Sequence, residues 1–259
     1  MGIDAGTFVA LFFAAIAIGG VASMLGLGGG VFMTPLLLLG GFVSTQPEAA
    51  GTSLAAIVFT ALSGSFAYYR RRAIDVRIGL LFTPSALSGV VFGTYVVRIA
   101  DPAWLTVAFG IFLLYPIAMM LTGRTTKEVR RAGRTLRGVP FYALVALLGF
   151  AAGTVTKLFG IGGGTVFVPS LVFFLGLDIT TAVATSLFVM IPTAILGAVS
   201  GWFQGYLHPE LALPLILGIV LGAQVGPILG SRISKRRLRQ LFGLVLLYAA
   251  VNMILKGLR

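Results

Sequence analysis

Lys157 is the residue in this sequence with the sharpest chemistry. It stands between the uncharged stretches 138–156 and 158–177, three residues before Gly160. A cation in such a run is costly unless it is hydrated, paired or able to snorkel to a headgroup. No acid lies in the segment to neutralise it, so a bound anion would complete the pair. Anchoring at the headgroup level and packing against a distant acid are the competing readings. Hydroxyls are the second class of candidate: Thr52 and Ser53 recur as Thr185 and Ser186, 133 residues on. Each could donate to an anion, or simply bond to the preceding helical turn. Thr156 and Gln224 are weaker candidates, polar groups in apolar stretches that need a partner.

Two glycine runs could supply backbone donors. The first is Leu25-Gly26-Leu27-Gly28-Gly29-Gly30, reaching Pro35; the second is Phe159-Gly160-Ile161-Gly162-Gly163-Gly164, reaching Pro169. A run of this kind breaks a helix, and a new helix starting after it presents unpaired N–H groups with partial positive charge, suited to an anion. The expected ligand-facing residues are therefore Gly28, Gly29, Gly30, Thr52, Ser53, Lys157, Gly162, Gly163, Gly164, Thr185, Ser186 and Gln224. The bland alternative is close helix packing by small residues, which is also the expected role of Gly89 and Gly93 and of Gly218 and Gly222. Neither run is followed by Gly-Lys-Ser/Thr, so neither is a nucleotide-binding loop.

Other chemistry is poorly supplied. There is no cysteine, so disulfides, thiol catalysis and cysteine metal sites are excluded. His208 is the sole histidine and reads as a boundary residue rather than a metal ligand; Arg98, Asp101 and Glu210 read the same way. Glu48 follows Pro47 and reads as a helix cap. No catalytic constellation, cofactor site or metal site is expected.

The elements that must position these residues are apolar. Of 259 residues, 58% are hydrophobic and 10% charged, and mean hydropathy is +1.04; soluble domains carry about 25% charged residues. Apolar segments run roughly over 7–41, 49–69, 78–97, 103–121, 139–176, 180–200, 211–230 and 240–255. Most match one membrane span of about 20 residues, while 7–41 and 139–176 are too long and carry the glycine runs. Met1 to Gly6 lacks the basic start of a secretory signal peptide, so none is expected.

The net charge of +12 sits in short segments between apolar runs: 70–77, 122–137 and 231–239. That is the pattern of cytoplasmic anchors at a lipid surface, not of a nucleic-acid interface. The likeness between halves extends from the glycine runs to Gly64 with Gly197, Phe109-Gly110 with Phe242-Gly243 and Leu114-Tyr115 with Leu247-Tyr248. The chain divides into a first repeat, 1–122, a basic linker, 123–137, and a second repeat, 138–259. If all three basic segments face the cytoplasm, the repeats are inverted, and 139–176 starts and ends on one side as a re-entrant hairpin or a double span. The expected fold is an all-α polytopic membrane protein of about eight segments, two of them hairpins or double spans.

At these motifs, Gly26 to Gly30 with Pro35, Thr52-Ser53-Leu54, Tyr69-Arg70-Arg71 through Ile74-Asp75, Gly160 to Gly164 with Pro169 and Ala184-Thr185-Ser186-Leu187, the sequence resembles the sulfite exporter TauE/SafE family. The resemblance covers nearly the whole chain. It implies an inner-membrane carrier exporting small sulfur-containing anions such as sulfite, sulfoacetate or related organosulfonates. A channel, a carrier of a non-sulfur organic anion, a membrane enzyme and a structural membrane protein are the alternatives. The expected partners are a small anion and the lipid bilayer, with a homodimer compatible; substrate, direction and coupling ion stay open.

Overall fold

The computed structural model describes residues 3–25, 28–122, 138–229 and 235–258. The basic linker 123–137, Gly26, Leu27 and part of the basic loop 231–239 lie outside the described residues. Ten helices and no strands are found among those described: α1 (Ala5–Leu25), α2 (Gly30–Leu39), α3 (Gln46–Arg70), α4 (Val76–Ile99), α5 (Pro102–Thr122), α6 (Val139–Phe159), α7 (Gly164–Pro169, continued by a π turn over Ser170–Phe174), α8 (Ile179–Phe203), α9 (Pro209–Leu229) and α10 (Lys235–Gly257).

Local chemistry explains where they begin. Pro47 and Pro140 sit in the first turns of α3 and α6, where a missing N–H costs nothing. Asp75 caps α4 by accepting from Ile78 N–H at 3.0 Å, and Asp178 caps α8 by accepting from Thr180 and Thr181 N–H. Glu48 accepts from Ser44 N–H at 2.9 Å, so it ties down the chain just ahead of α3 rather than capping the helix's own first N–H groups as expected. α3, α4, α6, α8 and the Gln240–Gly257 part of α10 are long and apolar enough to cross a bilayer. The two long apolar segments each resolve into a long helix and a short one, α1 with α2 and α6 with α7.

Packing exchanges elements between the halves. α1 packs on α9 and α4 on α6, while α3 pairs with α8 and α5 with α10. Glycines allow the closest approaches: a Cβ at Gly89 would lie 2.1 Å from Phe150 O, and one at Gly222 would lie 2.1 Å from Ile16 O. At Gly218 and Gly93 it would lie 2.3 Å from Phe12 O and 2.9 Å from Lys157 Cβ, so all four do the packing expected of them.

These contacts also fix direction. Gly64 meets Leu187 and Gly197 meets Leu54, so α3 and α8 run antiparallel. Gly149 and Gly153 meet α4 at Ser85 and Ala86, and Lys157 lies against Gly93, so α6 runs parallel to α4. α9 starts beside the first turns of α3, where His208 N–H bonds to Thr52, and α4 starts beside α8, where Asp75 N–H bonds to Thr185. Helices at equivalent sequence positions thus point in opposite directions. α6 sets out from the end where α4 begins, and α7 returns toward it, with Phe167 edge-on to Phe82 at 5.7 Å. Both apolar cores draw on both halves. One joins Leu11, Leu37 and Phe109 to Leu215, Ile219 and Met253; the other joins Leu54, Ile57 and Phe82 to Val145, Phe167 and Met190.

Candidate substrate site at the glycine breaks

Both breaks are made the same way. Gly29 precedes α2 with φ 84° and ψ −27°, and Gly163 precedes α7 with φ 78° and ψ −16°. Gly28 and Gly162 also have positive φ, 71° and 70°. L-residues resist this region, and four such positions in matched pairs require glycine. In each short helix the ladder opens late: Phe32 and Met33 N–H bond to Gly29 O, and Val166 and Phe167 N–H bond to Gly163 O. The N–H groups of Gly30, Val31, Gly164 and Thr165 lie upstream of the first helical bonds, the donors a helix start leaves for another partner.

The breaks meet inside the protein. A Cβ at Gly30 would lie 2.4 Å from Gly160 O and 2.7 Å from Ile161 Cα. Met190 Cε touches the open faces of both Gly28 and Gly162, and Ile57 touches Gly30 and Gly162. Ile57 and Met190, 133 residues apart, are both fully buried and form an apolar seal between the two helix starts.

The end of α6 is held by the first half. Its last carbonyls have no helical partner, and three buried side chains supply one: Gln46 Nε2 donates to Leu158 O at 2.7 Å, Thr34 Oγ1 to Phe159 O at 3.1 Å, and Ser53 Oγ to Gly160 O at 2.7 Å. Ser53 therefore reaches the break, as expected, but as a clamp on its backbone. Neither Thr34 nor Gln46 is among the sequence candidates, although each is visible as a polar residue in or beside an apolar helix. Thr156 is buried and bonds back to Ala152 O, the bland reading of a helical hydroxyl.

Lys157, one residue before these carbonyls, is 3% exposed. Its Nζ donates to Gly197 O at 3.1 Å and, among the described residues, meets no carboxylate. Four glycines enclose it: Gly93 lies against its stem, Gly197 supplies the acceptor, and its Nζ faces Gly201, which abuts Gly51. A polar group continues from there. Ser200 Oγ also donates to Gly197 O, Thr94 Oγ1 lies 3.3 Å from Ser200 Oγ, and Gln204 Nε2 donates to Thr94 O while its buried Oε1 has no partner. This places Lys157 inside the protein rather than at a headgroup, overturning the anchor reading. Thr94, Ser200 and Gln204 lie at unremarkable spacings in the sequence, and only packing assembles them.

The remaining candidates are dispersed. Thr52 Oγ1 accepts from His208 N–H at 3.1 Å, and Thr185 Oγ1 accepts from Asp75 N–H at 3.0 Å, so this matched pair ties helix starts across the halves. Ser186 bonds to Val183 O within its own helix. Gln224 is exposed on α9 rather than turned toward either break. His208 is partly exposed at the starts of α3 and α9, with Glu48 at 3.7 Å and Glu210 at 3.5 Å. No group of three ligating side chains suited to a metal occurs among the described residues.

Apolar helices of membrane-crossing length, together with two short helices that start at breaks buried within the bundle, define a multi-pass membrane protein of the broken-helix kind found in transporters. The chain belongs to the family described as Sulfite exporter TauE/SafE, whose profile matches residues 11–253, the family its glycine motifs resembled. Relatives carry the same general assignment. A protein of Bacillus subtilis named probable membrane transporter protein YunE is 33% identical over 75% of this chain and 78% of its own length. A probable membrane transporter protein of Xylella fastidiosa is 28% identical over 92% of this chain and 91% of its own. Another from Methanocaldococcus jannaschii is 29% identical over 71% and 68%. The chain is a membrane transporter.

Proposed function

We propose that this chain is a secondary transporter that moves small sulfur-containing anions, such as sulfite, sulfoacetate or related organosulfonates, across the bacterial inner membrane by alternating access, in the direction of export. The observation that carries the reading is the meeting of two helix starts, at Gly28 to Gly30 and Gly162 to Gly164, across the seal of Ile57 and Met190. First-turn N–H groups at two adjoining helix starts favour a small anion, and Lys157, three residues before Gly160, adds a buried positive charge to the same helix end. The family's description supplies the sulfur chemistry.

In this mechanism residues 1–122 and 138–259 act as inverted repeats joined by the linker 123–137, with the basic segments 70–77, 122–137 and 231–239 on the cytoplasmic side. The anion enters between the repeats and takes hydrogen bonds from the break N–H groups. Relative rocking of the short helices α2 and α7 then moves the apolar seal from one side of the anion to the other.

The test is counterflow. Purified protein in vesicles preloaded with sulfite should take up labelled sulfite against its gradient, with sulfoacetate and small sulfonates competing and chloride or acetate competing poorly. Equal competition by non-sulfur anions would reject the substrate class. Currents at channel rates without counterflow would reject the carrier.

A further inference from the structure

We propose that Lys157 is the proton-coupling group of this transporter, so that each anion crosses together with one proton. The proposal rests on the anion-transport reading above and supplies the coupling ion which that reading leaves open.

The argument starts from what surrounds the ammonium. α8 presents Gly197, Ser200 and Gly201, α4 presents Gly93 and Thr94, and α3 presents Gly51 behind Gly201. None of these is ionisable. Elsewhere on the elements packed against α6, α3 carries Glu48 near its start and Tyr68, Tyr69 and Arg70 at its end, α4 carries Arg77, Tyr95 and Arg98, α5 carries Tyr115, and α7 and α8 carry none. Among the described residues none comes within ion-pair or hydrogen-bond distance of Nζ, whose one protein partner is Gly197 O. Two of its three N–H bonds are unused.

An ammonium held this way is balanced only while an anion is near. A carrier must also return empty, and then a permanent cation would be left buried and uncompensated. Lysine resolves this because its proton can leave. With the anion bound, Nζ is protonated and offers its free N–H bonds. When the site opens and the anion departs, one N–H bond breaks heterolytically, the proton passes to water on that side, and the lone pair stays on Nζ. The neutral amine can then accept from Ser200 Oγ, which now donates to the shared acceptor Gly197 O. Reloading on the other side takes up a proton and an anion together.

Coupled this way, export runs down the anion's own gradient and removes acid with it. The experiment uses the full chain in vesicles containing a pH dye, with sulfite at mildly alkaline pH, where it is mainly the dianion, and with methanesulfonate, which does not itself take up protons. Wild-type uptake of methanesulfonate should acidify the lumen in step with anion entry, and an inside-alkaline gradient should drive accumulation. Lys157→Arg, which keeps a charge that cannot be released, should lower gradient-driven accumulation by about tenfold or more relative to its own rate of anion exchange. Lys157→Gln should weaken exchange as well. Anion uptake without lumen acidification in wild type, or accumulation by K157R equal to wild type, overturns the proposal. Counterflow needs no net proton movement, so its absence in wild type for every anion tested would instead reject anion transport itself.

Discussion

The two glycine breaks are alike in backbone and unlike in chemistry. Gly29 and Gly163 sit within a few degrees of one another in φ, and Gly28 and Gly162 share the same left-handed conformation. Around that common frame, among the described residues, it is the second break that gathers a clamp and a charge. Thr34, Gln46 and Ser53 hold the end of α6, and Lys157 stands beside it. Their counterparts by repeat spacing are Val168, Ile179, Ser186 and Ser23. The first two are apolar, Ser23 is serine where the second half has lysine, and among the described residues Ser186 bonds within its own helix. Symmetry therefore governs how the helices break and pack, while function is free to load one half.

The strongest challenge to this contrast comes from alanine at positive-φ glycines of the two breaks. At Gly160, φ is 66° and a Cβ would lie 2.4 Å from Ala50 Cα, so backbone must move. Gly160→Ala should cost about 2–4 kcal/mol, combining left-handed strain with overpacking. At Gly28 the nearest obstacle is the flexible tip of Met190, so Gly28→Ala should cost only about 1–2 kcal/mol. Thermal stability of the purified variants in detergent orders them; equal losses would mean the second break is not locked more tightly.

A smaller effect separates the serines. Ser53→Ala removes a donor from Gly160 O and should destabilise by roughly 1–3 kcal/mol. Among the described residues Ser186 Oγ bonds only to Val183 O, so Ser186→Ala should stay within about 0.5 kcal/mol. Urea or heat titration of both, side by side, reads the difference, and identical shifts would contradict the asymmetric clamp.

The threonines test the symmetric side of the comparison. Thr52→Val and Thr185→Val each leave a helix-start N–H without its acceptor, so each should lose about 1 kcal/mol, and by similar amounts. Gln224→Ala should change neither stability nor transport beyond about 0.5 kcal/mol, because the side chain is exposed rather than turned toward the breaks. A transport defect in Q224A would restore it to the site.

Much of the frame was legible in the sequence because glycine and proline act locally. The breaks at 28–30 and 160–164, the helices between them and the tight packing at Gly89, Gly93, Gly218 and Gly222 all follow from residue type and spacing. Partnerships across the halves were not legible. Nothing along the chain says that α1 packs on α9, or that Thr52 and Thr185 spend their oxygens on the N–H groups of His208 and Asp75. The same holds for Gln224, whose apolar neighbours suggested burial until helix rotation turned it outward. Polar residues in membrane helices declare that they need a partner, and only tertiary packing names it.

The natural absence of cysteine makes the central claim directly measurable. In a Met190→Cys variant, the thiol would stand at the seal between the two breaks. Alternating access predicts that a membrane-impermeant maleimide labels it from either side of reconstituted vesicles, and that sulfite shifts the ratio of the two rates. Labelling from one side only, unmoved by sulfite, would contradict a site that opens to each face in turn.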